Sequence, residues 1–306
     1  MKIIDMHCDV PMKLLLDETL SFTREADMDV TLPRLRKGGA KLQYFALYVP
    51  EHIPPTLRFQ AVLAMVIKVQ DQILAERDIK LIRSKKDYDM LEDGEIGAIL
   101  SLEGCDCLQE NLSNLRTLQS LGVTAVGLTW NYANVYGDGA KEPRNAGLSL
   151  QGKKLVTYIK EEEMLLDLSH LNEAGFWDCL ELGGRVFASH SNCRALCETP
   201  RNLYDSQVQA LIKRDSLIGI TFVPQFLHLG RPAAIQDIIR HIDHICSLGG
   251  EKNVGFGSDF DGIDHHVTGL TSFDRYPLLI EELQLHFSEE QVEGFAFRNY
   301  ERVLLK

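Results

Sequence analysis

The sequence contains eight short apolar runs, and each run ends abruptly in polar residues. Every run is rich in Val, Ile, Leu or Phe and is too short for a typical helix, which favours buried parallel strands. The runs occupy residues 2–10, 42–49, 96–104, 123–131, 164–171, 185–192, 217–224 and 253–262. A chain that repeats this unit is restricted to folds built on a parallel sheet.

Segments with helical periodicity separate the runs. Residues 56–78 place apolar side chains close to the 3.6-residue period of a helix. Residues 172–184 begin with a capping asparagine and close on glycine, which predicts a helix that stops near residue 182, and residues 233–250 share this pattern. The alternation predicts an α/β fold, specifically a (β/α)8 TIM barrel that forms one domain over residues 1–306. A doubly wound open sheet is the alternative.

Charge and cysteine content exclude several classes of protein. The formal net charge is −12 and the pI is about 5.3, so the chain lacks the concentrated Lys and Arg that a nucleic-acid partner requires. No apolar run approaches the ~18 residues of a membrane span, and the opening MKIIDMHCDV has no signal-peptide pattern. The seven cysteines are scattered without zinc-ribbon spacing, which favours reduced thiols. We therefore expect a cytoplasmic protein with no nucleic-acid or membrane partner.

Residue types that bind metals follow successive runs at the same end. The carboxyl ends of barrel strands form one face, where active sites lie. These residues are His7 and Asp9 after the first run, Glu103 after the third, His170 after the fifth, His190 after the sixth and Asp259 after the eighth. Because polar groups scattered at random would not fall at the same strand ends, the pattern predicts a metal centre.

Taken singly, each of these residues also has a structural interpretation. His7 and Asp9 point to one face of a strand, but an isolated H-x-D pair recurs by chance. Glu103 either turns into solvent or holds one ion with each oxygen. His170 and His190 are either hydrogen-bonded core histidines or ligands of one ion, because adjacent strands lie ~4.8 Å apart.

Two further groups of polar residues bear on the site. Asp259 and Asp261 belong to GSDFDG, where one can carry a proton beside a metal and the alternative is a pair of turn-forming aspartates. We expect Asp259 to face the site and Asp261 to point away from it. His241 and His244 lie on a predicted helix without an H-E-x-x-H arrangement, so we expect them on a solvated face.

Five motifs, in order over nearly the whole chain, resemble those of the membrane dipeptidase (renal dipeptidase) family of zinc metallopeptidases. They are D-x-H-x-D at residues 5–9, EG at 103–104, DLSH at 167–170, SHS at 189–191 and G-x-D-F-D-G at 257–262, with an R-N pair at 201–202. The resemblance implies a TIM-barrel metal-dependent hydrolase, and we expect a bacterial-type cytoplasmic member.

Carried over position by position, the resemblance implies two Zn²⁺ ions per chain. His7 and Asp9 would bind one ion, and His170 and His190 would bind the other. Glu103 would contact both ions. Two ions ~3.5–4 Å apart would hold a water between them and lower its pKa.

The same resemblance implies roles for three other residues. Arg201 would hold the terminal carboxylate of the substrate, and Asp259 would carry a proton from the water to the leaving amine. Trp130 stands where the family often has a histidine that contacts the scissile carbonyl, and its indole N–H donates one hydrogen bond but cannot be protonated further. We therefore expect a dipeptidase that acts on small dipeptides and forms a homodimer.

Two other functions remain open at this point. The closest alternative is another amidohydrolase-like barrel, such as a deaminase or a cyclic-amide hydrolase. Many of those have H-x-H on the first strand and a carbamylated lysine, whereas this chain has H-x-D and Glu103. A metal-binding protein without catalysis is a second alternative, but it would leave Asp259 and Arg201 without a role.

Overall fold

The computed structural model describes residues 1–304, and its centre is a parallel β-sheet. The strands are β1 Ile3–Asp5, β2 Ala40–Tyr48, β3 Ile79–Leu81, β4 Ile96–Glu103, β5 Val123–Gly127, β6 Leu165–Asp167, β7 Arg185–Phe187, β8 Ile218–Ile220 and β9 Val254–Phe256. Their spatial order is β7-β6-β5-β4-β2-β1-β9-β8. A bridge between Ala188 and Ile218 joins the two ends of this order and completes the ring. The predicted (β/α)8 barrel is confirmed.

Helices follow the strands and cover the outside of the ring. They are α1 Val10–Leu16, α2 Leu32–Gly38, α3 Arg58–Lys68, α4 Lys85–Asp89, α5 Leu112–Ser120, α6 Leu150–Glu161, α7 Glu173–Leu182, α8 Asp205–Lys213, α9 Pro224–Leu227, α10 Ile235–Ser247, α11 Tyr276–Gln284, α12 Glu289–Glu293 and α13 Asn299–Leu304. The main apolar core lies between helices and strands. Alternate strand side chains, among them Ile4, Tyr44 and Phe187, form a second buried cluster that fills the barrel interior.

The sequence pattern missed one strand. β3 pairs in parallel with the first residues of β4 and lies off the ring. It has three residues, of which Ile79 is buried and Lys80 is exposed, so it presents no apolar run. A strand outside the barrel that buries little apolar surface leaves no hydrophobic signal.

The predicted helix boundaries agree with the structure where a capping residue marks them. The side chain of Asn172 accepts a hydrogen bond from Gly175 N at 2.7 Å, and α7 ends before Gly183, whose φ is +77°. The helix predicted over 56–78 is shorter, because α3 runs from 58 to 68 and continues only as a π-helical turn to Ile73. Among residues 1–304, no helix has both the length and the apolar composition needed to cross a membrane.

The expectation that His241 lies on a solvated face is wrong. Its side chain is buried, and it shares the core face of α10 with Ile238, Ile242 and Ile245 at helical spacing. Its Nδ1 accepts from Cys193 N at 3.0 Å, and its Nε2 lies 3.2 Å from a backbone carbonyl. Burial lowers the pKa of His241 to about 4, so the ring stays neutral in the core. His244 is half-buried and lies 2.8 Å from an aspartate oxygen.

Candidate metal centre

Six residues singled out in the sequence meet at the carboxyl ends of the barrel strands. Each strand ends before the end of the apolar run that predicted it, so each of these residues is the last residue of its strand or follows it. All six therefore lie at the mouth of the barrel. They are His7, Asp9, Glu103, His170, His190 and Asp259. Ligand atoms of two sets within them, His7–Glu103–His190 and His7–Asp9–Asp259, lie within 4.8 Å of one another.

Glu103, the last residue of β4, directs its two oxygens at different histidines. Oε2 lies 3.6 Å from His7 Nε2. Oε1 lies 2.8 Å from His170 Nε2 and 3.5 Å from His190 Nε2. Burial raises the pKa of the Glu103 carboxyl well above its usual range, and the charge of His7 opposes that rise. A carboxylate in this position can contact two cations, one through each oxygen.

His170 and His190 are oriented as metal ligands need to be. Nδ1 of His170 lies 3.0 Å from Asn131 Oδ1 and can donate its proton there, which leaves the lone pair on Nε2. Nδ1 of His190 lies 2.7 Å from Ser189 Oγ, and that hydroxyl donates to Asp167. Burial lowers the pKa of both rings well below its usual value, and neighbouring positive charges lower it further. Both imidazoles are therefore neutral.

The residues that orient these two rings had no predicted role. Asn131 directly follows Trp130, and Ser189 directly precedes His190. Asp167 Oδ1 accepts hydrogen bonds from the amides of Ser169 at 3.0 Å and Ser189 at 2.9 Å, so it ties two strand ends together. In the sequence, these residues could have been found by their adjacency to a predicted ligand within a polar motif. Metal-binding histidines usually donate the N–H of their second ring nitrogen to such partners.

The other half of the site is rich in carboxylates. His7 Nε2 lies 3.5 Å from Asp9 Oδ2 and 3.9 Å from Asp259 Oδ1, in addition to its contact with Glu103. This nitrogen is buried and has no hydrogen-bond partner in the described chain. Burial opposes protonation of the ring, but the surrounding carboxylates raise the pKa of His7 to about 10. Three carboxylates around one buried imidazole form an excess of negative charge that a bound cation would neutralise, so the residues fit a metal ion.

Asp259 and Asp261 lie in a tight turn and point in different directions. Both have φ of +67°, a conformation that is rare outside glycine and often found at functional sites. At Gly262, a Cβ atom would lie 2.1 Å from Asp9 Oδ2 and 2.6 Å from Asp259 Oδ1, so only glycine allows this close approach. Asp261 accepts from the amides of Asp29 and Val30, both at 2.9 Å, and so anchors a neighbouring loop.

Asp261 points away from the site, as expected. β9 ends at Phe256, so the turn sets the directions of both side chains. Strand alternation would put residues 259 and 261 on the same face. Burial raises the pKa of the Asp259 carboxyl to about 7, and the nearby carboxylate of Asp9 adds to the rise. Asp259 can therefore exchange a proton near neutral pH.

A cavity of about 190 Å³ opens beside these residues. Trp130 forms part of its wall, with its ring 5.1 Å from that of Tyr48 and 6.1 Å from that of His170. Gly139 packs closely against the backbone of Trp130. A Cβ at this position would lie 2.1 Å from Trp130 O, so only glycine fits there. The polar members of the wall include Lys141. The wall thus combines aromatic surface with the candidate metal ligands.

Arg201 is a buried cation at the edge of the site. Its side chain is only 3% exposed, and its Cζ lies 5.5 Å from the ring of Phe226. Phe226 is part of the wall of the 190 Å³ cavity. Nη2 donates to His190 O at 3.3 Å, whereas Nε has no partner in the described chain. Burial lowers the pKa of Arg201, and the charges of Asp259 and Glu103 oppose this. A buried guanidinium with free donors is suited to bind an anion.

Comparisons with known proteins agree on one family. The family model described as membrane dipeptidase (peptidase family M19) matches residues 1–306. The chain is 31% identical over 294 residues to dipeptidase aclJ of Aspergillus oryzae, covering 90% of this chain and 69% of that protein. It is 27% identical over 317 residues to dipeptidase 3 of Rattus norvegicus, covering 98% of this chain and 64% of that protein.

A solved structure has the same architecture. A metallo peptidase from Rhodobacter sphaeroides, liganded with a phosphinate mimic of the dipeptide L-Ala-D-Ala, superimposes with a TM-score of 0.92. The two chains are 27% identical, and the match covers 99% of this chain and 98% of that one.

Proposed function

The chain belongs to the membrane dipeptidase family (peptidase family M19), and on that premise we propose that it is a dipeptidase that uses two zinc ions. The observation that carries the proposal is the position of Glu103, whose two oxygens face separate histidines. The dipeptidase relatives and the dipeptide mimic bound to the Rhodobacter protein support a substrate of two residues.

Five residues would hold the metal ions. His7 and Asp9 would bind one ion, His170 and His190 the other, and Glu103 both. When bound, the ions would lower the pKa of water and polarise the scissile carbonyl. His170 and His190 can direct their Nδ1 protons at Asn131 and Ser189, respectively. Nε2 of each ring then keeps a free lone pair, which supports the assignment of both residues as metal ligands.

Arg201 and Trp130 would position the substrate. Arg201 offers a planar guanidinium with unused donors, which is matched to the terminal carboxylate of a dipeptide. Anchoring at that carboxylate selects substrates that end one residue beyond the cut. Trp130 presents one N–H donor from the cavity wall and would contact the scissile carbonyl.

Asp259 would move the proton. Its carboxyl faces His7 and Asp9, and its pKa of about 7 suits a group that takes a proton from water and gives it to the leaving amine nitrogen. Asp261 does not share this role, because its two oxygens hold the amides of Asp29 and Val30.

We also propose that the chain forms one domain and acts in the cytoplasm. Pairing of β1 with β9 supports one domain, because the first and last strands of the ring are neighbours. The seven cysteines are all unpaired, and six are buried, which fits a reducing compartment. The homodimer expected from the family stays a prediction.

The proposal predicts that zinc-loaded protein binds about two zinc ions per chain and hydrolyses dipeptides. Elemental analysis gives the metal content, and a dipeptide panel measured by amine release gives the activity. A folded, metal-loaded protein that cleaves cyclic amides but no dipeptide would support the amidohydrolase alternative. A content of one ion or none would contradict the two-ion site.

A second prediction concerns Arg201→Ala. Loss of a charged hydrogen bond to the carboxylate should lower kcat/KM for dipeptides by ~1.5–3 kcal/mol, or roughly 10- to 150-fold, with zinc content unchanged. A C-terminally amidated dipeptide should be a poor substrate for the parent enzyme and lose little more in the variant. Equal losses in kcat/KM on free-acid and amidated substrates would show that Arg201 does not bind the terminal carboxylate.

A further inference from the structure

Lys141 is a cation in the substrate cavity that no step of the proposed reaction uses. Among the described residues that line the 190 Å³ cavity, it is the one lysine or arginine. Its side chain is exposed to solvent at the rim and forms no hydrogen bond or ion pair within residues 1–304. An unpaired lysine that lines a binding cavity is available to a ligand.

The backbone holds Lys141 at a fixed place beside the metal residues. Its amide donates to Asn131 O at 2.8 Å, and the amide of Ala140 donates to His170 O at 2.7 Å. Arg144 and Asp138 form an ion pair that ties together the loop on either side. The lysine therefore extends from an ordered segment, and its reach is limited to the cavity rim near His170.

Charge is distributed unevenly around the cavity. Asp9, Asp259 and Asp264 line it on the side of β1 and β9. On the opposite side, Lys141 lines the cavity together with His170. His170 also lines the smaller cavity that contains Arg201, so the two cations flank one ring. A dipeptide would therefore place its ammonium group toward the aspartates and its carboxylate toward the cations.

From this arrangement we propose that Lys141 selects dipeptides with an acidic side chain on the C-terminal residue. The inference rests on the proposed dipeptidase function and on Arg201 as the anchor of the terminal carboxylate. Because Arg201 and Lys141 both lie beside His170, a residue whose carboxylate is held by Arg201 would place its side chain on the side of the cavity where Lys141 lies. An aspartate or glutamate there pairs with the ammonium group, whereas the neutral amide isosteres gain no such contact.

The test compares isosteric substrates that differ in one charge. Zinc-loaded parent enzyme should show kcat/KM for Ala-Glu that exceeds that for Ala-Gln by roughly 3- to 30-fold, the range expected for one partly exposed charge pair. Lys141→Met should bring that ratio near 1, and Lys141→Glu should invert it. Added salt should reduce the parent ratio, since the pair lies at the rim.

Two controls locate the effect. Lys153→Met removes the same charge from an exposed position on α6, outside the cavity, and should keep the parent ratio. The pair Glu-Ala and Gln-Ala moves the charge to the N-terminal residue, and its ratio should not depend on residue 141. A parent ratio near 1, a ratio that survives Lys141→Met, or a dependence confined to Glu-Ala would overturn the inference. If the parent cleaves the wider dipeptide panel but not Ala-Glu, the inference is overturned, whereas if it cleaves no dipeptide of that panel, the proposed function itself fails.

Discussion

Replacing Glu103 with glutamine is expected to remove both metal ions at once and to abolish most of the activity. Glutamine keeps the size of the side chain but offers one neutral carbonyl oxygen in place of two charged ones. Since Oε2 faces His7 and Oε1 faces His170 and His190, one position loses its ligand atom and the other keeps only a neutral oxygen, so both positions lose the carboxylate charge. Groups that only orient metal ligands already contribute about 10- to 100-fold, so the loss in kcat/KM should exceed ~100-fold.

The measurement is zinc content by elemental analysis, paired with dipeptide hydrolysis. His7→Ala should empty mainly one position, so its zinc content should fall to about one per chain. Glu181→Gln removes the same charge from an exposed residue of α7 and should keep parent metal content. Full zinc content in Glu103→Gln would show that the carboxylate does not contact both ions.

Much of the barrel and of the site could be predicted because both depend on strand ends. Buried parallel strands leave a strong apolar signal, and the point where that signal stops marks the active face. Glu103 therefore ends β4 and His190 follows β7, as the apolar runs predict. β3 left no signal, since its three residues bury little apolar surface.

Other features depend on contacts between distant segments, which one sequence does not reveal. The lack of an H-E-x-x-H arrangement predicted a solvated His241, although its spacing from Ile238 and Ile245 already put it on the apolar face. The pairing of His170 with Asn131 joins residues 39 positions apart. Asp261 lies 231 positions from Val30, whose amide it holds. Such side-chain partners can be identified only after the fold brings them together.

The last prediction concerns Asp259→Asn, which should lower kcat by about 10²–10⁴, the usual contribution of a general acid–base group. Asparagine has almost the same shape but cannot carry the proton from water to the leaving amine. The carboxyl of Asp259 in the parent has a pKa of about 7, which suits it to this transfer near neutral pH. The measured quantity is the steady-state kcat for a good dipeptide. Zinc content and the affinity for a phosphinate dipeptide mimic are measured as well, and both should stay close to those of the parent.

Asp261→Asn is the matched control, because it makes the same chemical change two residues away. Asp261 accepts one amide hydrogen bond on each oxygen, and an asparagine can accept with only one of them. We therefore expect a loss of about 1–3 kcal/mol in the free energy of unfolding and a kcat near that of the parent. Loss of zinc in Asp259→Asn would instead make Asp259 a metal ligand, which its 3.9 Å distance from His7 Nε2 would allow. If Asp261→Asn loses its activity while Asp259→Asn stays active, the proton carrier has been assigned to the wrong aspartate.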